Sequence, residues 1–179
     1  MKGFVWKAMV AGLILAGFLS AGARAQSSDN DGCSDATLKG DYAFTVSGTI
    51  WMTDVTGTVQ PVQREGVAMT HFDGTGGLTQ VDYVMSSPNA KKPPVPPPTD
   101  PVTGFHTDET GTYKVYSDCT GTFTINSPGP TTITVSFVLS NQGRSIHTIV
   151  TSLALPTGPV QALIHSEGHK LGRIREELE

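Results

Sequence analysis

The chain has 179 residues, of which 37 % are hydrophobic and 16 % charged, with 20 Gly and 12 Pro. That is enough chain for one domain with a real core, and a charged fraction well under the roughly 25 % of an average soluble domain excludes a coiled coil, a helical bundle and a highly charged disordered chain. The formal charge is −4, and no basic patch is interleaved with aromatics, so a nucleic-acid partner is not expected.

Lys2 and Lys7 lead into an uncharged run from Ala8 to Leu19, followed by small residues ending in Ala23-Arg24-Ala25. A basic start, a short apolar run and an A-x-A site make a signal peptide over residues 1–25. The run is shorter than the about 20 residues needed to cross a hydrocarbon core, so no lasting membrane anchor is expected and the protein is read as secreted or periplasmic. Cleavage would remove three basic residues and no acid, leaving nine basic residues against 16 acidic ones and a formal charge of −7. Cys33 and Cys119 remain. An even cysteine count in an oxidising compartment predicts that they pair.

After a polar lead over residues 26–35, Tyr42, Phe44 and Val46 alternate with Ala43, Thr45 and Ser47, the period of a half-buried strand. Either set fits the inward face. Seven further strand patterns follow, at 65–72, 78–85, 111–116, 121–126, 131–140, 145–153 and 160–170. Most links are short and rich in turn formers, such as Asp73-Gly74-Thr75-Gly76-Gly77 and Ser127-Pro128-Gly129-Pro130, so sequential neighbours are antiparallel. The expected fold is all-β, an eight-stranded up-and-down barrel over 36–170, with a two-sheet sandwich as the alternative. The Gly74–Gly77 glycines resemble a phosphate loop, but no helix follows, and they read as a hairpin turn. No cofactor is expected. One link departs from the pattern, because residues 86–105 carry seven prolines and form either a surface loop or a lid over a barrel mouth. Residues 171–179 read as a charged tail.

The expected ligand-binding residues are Tyr42, Phe44, His71 and Tyr83, taken from an aromatic and polar mixture on the early strands that also holds Arg64, Glu65 and Asp82. Such a mixture suits a hydrophobic small molecule bearing one or two oxygens. His165, Glu167 and His169 share one face of the last strand, and a regular hairpin brings His147 near them. A solvated face, a polar group in a pocket and a metal site are the three readings of that cluster. None of its spacings is a strong zinc motif, and no metal is expected. The consecutive carboxylates Asp108-Glu109 and Glu176-Glu177 are expected to point apart or into solvent, which does not suit a glycosidase pair. No G-x-S-x-G elbow marks a hydrolase.

The segments GDYAFTVSG (40–48), HFDGTGGL (71–78) and GTYKVYSDCTGTFTI (111–125) resemble exported bacterial proteins with an allene oxide cyclase-like or calycin-like β-barrel. The resemblance covers residues 36–170 and rests on turn and strand residues. It implies a barrel that binds a hydrophobic small molecule, with two alternatives. One is a cyclase or isomerase in which His71, His147 or Glu167 polarises or deprotonates the substrate. The other is a filled barrel acting as a structural or surface-interaction module.

Overall fold

The computed structural model describes residues 32–54, 56–87 and 103–172. The leader, most of the Pro-rich link and the end of the charged tail, Glu176-Glu177 included, lie outside the described residues. The described residues fall within one compact unit, Asp31–Glu179.

Eight strands follow one another: β1 (Gly40–Thr53), β2 (Val59–Phe72), β3 (Gly77–Ser86), β4 (His106–Val115), β5 (Thr120–Ser127), β6 (Thr131–Ser140), β7 (Ser145–Leu155) and β8 (Gly158–Lys170). Each pairs with its sequence neighbour and β8 returns to β1, closing an antiparallel barrel. The expected barrel is therefore the fold, and closure leaves no unpaired edge strand. No helix among the described residues is long and apolar enough to cross a membrane.

The β1–β2 register sets which side chains face inward. Gly40 lies opposite Phe72 and Tyr42 opposite Thr70, so the even-numbered residues of β1 and β2 share the interior and the odd-numbered ones face out. The Tyr42 set is thus the inner one. At the turn between β2 and β3, Asp73 accepts amide hydrogens from Thr75 (2.6 Å) and Gly77 (3.0 Å). Gly74 adopts φ 87° there, as the hairpin reading requires.

One end of the barrel is plugged. A single 3₁₀ turn, Asp35–Leu38, carries Leu38 into the base, where it is fully buried. The Asp35 carboxylate accepts from the Val115 amide (2.7 Å) and from Lys114 Nζ (2.9 Å), and these two contacts hold its carboxyl below the usual carboxylate range. Above Leu38, Phe72 meets Tyr42 and Tyr113 edge-on at ring separations of 5.5 and 5.0 Å. The Tyr42 hydroxyl donates to the Gly143 carbonyl, and burial pushes its pKa up to about 12. Cys33 and Cys119 are disulfide-bonded, with Cα atoms 4.9 Å apart, and the Cys33 amide also donates to Ser117 O at 3.2 Å. The segment preceding β1 is thereby tied to the β4–β5 turn.

Candidate functional site

Towards the opposite end the packing opens into a cavity of about 190 Å3. Its two sides differ in chemistry. Phe44, Ile50, Phe123, Ile125, Ile133, Val135, Val150, Leu153 and Ile164 give an apolar wall. The facing wall, mainly β2 to β4, presents Arg64, Gln80, Asp82, His106 and Glu109.

Part of this polar wall is a single row running across the strands. Thr70, Gln80, Glu109, Ser127 and Thr131 follow one another around the barrel: Thr70 is the cross-strand partner of Gln80, Gln80 of Glu109, and Ser127 of Thr131. Thr70 Oγ1 donates to Gln80 Oε1 (2.8 Å), Gln80 Nε2 donates to Glu109 Oε2 (2.8 Å), and the Ser127 hydroxyl donates to Glu109 Oε1. Glu109 is only 3 % exposed. Burial, reinforced by the nearby Asp82 charge, pushes its carboxyl up towards the neutral form. Asp108 faces solvent as the alternation of a strand requires, so the two consecutive carboxylates do point apart. Of the two, Glu109 is the one that turns into the barrel.

Next to this row, Asp82 Oδ1 lies 2.9 Å from His106 Nδ1. Burial raises the Asp82 carboxyl and the histidine contact partly offsets the rise. His106 and Glu109 are three residues apart, so plain alternation would send them to opposite faces. A register shift between β3 and β4 pairs Asp82 with His106 and Gln80 with Glu109, and this bulge turns both side chains inward.

The structure distributes the expected site residues unevenly. Phe44 lines the cavity and Tyr42 lies in the aromatic plug. His71 and Tyr83 are exposed, because each follows the outward parity of its strand. His71 Nδ1 sits 2.7 Å from Asp41 on that outer surface. His147 and Glu167 face outward too, opposite each other in the β7–β8 ladder, with His147 Nδ1 3.4 Å from Glu167 Oε1. The three residues expected to act on a substrate, His71, His147 and Glu167, therefore lie on the outside of the barrel, away from the cavity. Among the described residues no group of three or more His, Cys, Asp or Glu side chains is arranged to hold a metal ion.

Gln80, His106 and Glu109 were absent from the expected lining, although one signal pointed to Glu109: counting back in twos from the apolar Tyr113 places it on the inner face. Arg64 and Asp82 stood in the mixture of early-strand residues, and their even parity with Phe44 puts Arg64 on the inner wall.

No family model matches the chain, and no curated protein matches it. Among solved structures the chain is similar to the S-type phycobiliprotein lyase CPES from Guillardia theta, with 6 % identity over 77 % of this chain and 90 % of that one, at a TM-score of 0.42.

Proposed function

We propose that the barrel binds one small, mostly apolar molecule bearing a hydrogen-bonding group, in an exported protein. The observation that carries this reading is the two-sided cavity, apolar across most of its circumference and polar along β2 to β4. A dry cavity of about 150 Å3 accepts benzene. The 190 Å3 here suits a ligand on the order of ten non-hydrogen atoms, one ring or a short chain. A completely filled barrel would leave no such space. Export is supported by the leader pattern and by the Cys33–Cys119 bridge.

Octan-1-ol, a neutral probe of suitable size, tests the reading by titration calorimetry and by its effect on the melting temperature. Saturable one-to-one binding is expected, with loss of binding in Val150→Phe, whose ring grows into the cavity while the fold is retained. Absence of saturable binding, or binding unchanged in a folded Val150→Phe variant, overturns it.

A second reading, cyclase or isomerase chemistry on the bound molecule, is favoured by the Asp82–His106 pair and the buried Glu109 on the cavity wall. Those groups can exchange protons with a ligand in the cavity. Conversion of a bound ligand to an isomer of equal mass, lost in Asp82→Asn, separates this reading from binding alone.

A further inference from the structure

The polar groups on the cavity wall and beside it are not evenly satisfied. The acceptors are matched: Asp82 by His106, Gln80 Oε1 by Thr70, and both oxygens of Glu109 by Gln80 and Ser127. Three groups able to donate are not. Arg64 lines the cavity from β2, half-buried, and among the described residues no hydrogen bond or ion pair reaches its guanidinium. Burial alone, with no compensating carboxylate, weakens its hold on its proton. Ser86 Oγ and Thr131 Oγ1 are buried without a hydrogen-bond partner.

Two of the three are neighbours. Arg64 and Ser86 are direct partners in the β2–β3 ladder, which sets their Cβ atoms about 5 Å apart. Both belong to the inward parity of their strands, four residues nearer the open end than the Ala68–Asp82 pair. Thr131 lines the same cavity where β6 begins. A buried cation without a counter-charge is costly, and so is a buried hydroxyl without a partner. Arg64 on the cavity wall, with the unpartnered Ser86 hydroxyl beside it in the ladder, is complementary to a ligand that brings negative charge and acceptor oxygens.

We infer that the cavity selects a small hydrophobic carboxylic acid, bound as its carboxylate to Arg64 and the Ser86 hydroxyl near the open end, with its apolar body against the β5–β7 wall. This rests on the binding reading above and adds the sign of the ligand's charge and its direction in the barrel. A planar carboxylate matches the guanidinium fork in two parallel N–H···O bonds. The acid points away from Glu109, both of whose oxygens already accept hydrogen bonds, from Gln80 and from Ser127.

The test compares three eight-carbon probes, octanoate, octan-1-ol and octylamine, against the wild type, Arg64→Met and Arg64→Lys, by titration calorimetry at pH 7.5. In the wild type octanoate is expected to bind about 10- to 100-fold more tightly than octan-1-ol, the scale of a charge-assisted hydrogen bond, and octylamine more weakly than either. In Arg64→Met the preference for octanoate over octan-1-ol disappears, and Arg64→Lys retains part of it. A second readout guards against a merely structural arginine: without ligand, Arg64→Met is expected to melt at or above the wild-type temperature, since it removes a half-buried charge that has no counter-charge. Equal affinities for octanoate and octan-1-ol in the wild type, or an octanoate preference that survives Arg64→Met, overturn the inference and leave the binding reading standing. Failure of every probe overturns the binding reading itself.

Discussion

Replacing both cysteines, Cys33→Ala with Cys119→Ala, removes a cross-link between positions 86 residues apart. Loop-closure entropy then assigns the bond roughly 4 to 5 kcal/mol, exerted on the unfolded chain. The native state retains other anchors for the same segment: the Cys33 amide on Ser117 O, the Asp35 carboxylate on Val115 and Lys114, and Leu38 in the base. The double variant should therefore keep the wild-type fold and lose stability. Urea unfolding followed by the fluorescence of Trp51, with m about 2 kcal/mol/M, should show a midpoint lower by about 2 M. The slope m should rise as well, because a chain without the cross-link exposes more surface when it unfolds. A midpoint within about 0.5 M of wild type with m unchanged would refute this reasoning, and so would a variant whose native spectrum has changed.

Other outcomes follow from the plug and the polar row. Leu38→Ala empties a fully buried position in the base and should cost about 2 to 5 kcal/mol in the same urea experiment. Octan-1-ol binding should survive it, since Leu38 does not line the cavity. Glu109→Gln should alter how stability depends on pH. The unfolded carboxyl titrates near 4.5 and the folded one higher, so between the two values the native state holds a proton that the unfolded state has released. Wild-type stability falls as pH rises through that interval, and Asp82 acts in the same direction from 3.8 upwards. The substituted amide stays neutral at every pH and can still pair with Gln80 and Ser127, so the variant should gain on wild type as pH rises above 4.5. A constant difference across that range, read from urea midpoints, would contradict the burial of Glu109. Tyr42→Phe leaves the Gly143 carbonyl without its donor and should cost about 1 to 3 kcal/mol, measurable as a lower melting temperature with strand content unchanged.

The barrel was legible because most strands alternate cleanly and most links are short. Where the inner face is polar, that signal vanishes. β4 begins at His106, five residues before the apolar alternation from Gly111 makes it visible, and its early inward positions are His106 and Glu109 on either side of a bulge. The far halves of β1 and β2 were missed in the same way, where Gly48 and Arg64 take inward positions and Pro61 interrupts the pattern. Three of the residues that broke the alternation, Arg64, His106 and Glu109, stand in the polar wall. Residue type alone suggested His71 and His147 as site residues, whereas strand parity decides which side of the barrel each occupies. Phe72 inward commits His71 outward, and β8 lends the cavity Ile164 and Ser166 while His165 and Glu167 stay outside.

The measurement closest to the central claim is isotope-filtered NMR of the labelled protein with octanoate. Contacts are expected between the octanoate chain and the methyl groups of Ile133, Val150 and Leu153 on the inner apolar wall. The Arg64 side-chain resonances should shift on saturation. Contacts confined to Val67, Met69 and Met85, which are exposed on the outer face, or the absence of any intermolecular contact at saturating octanoate, would contradict a ligand site inside the barrel.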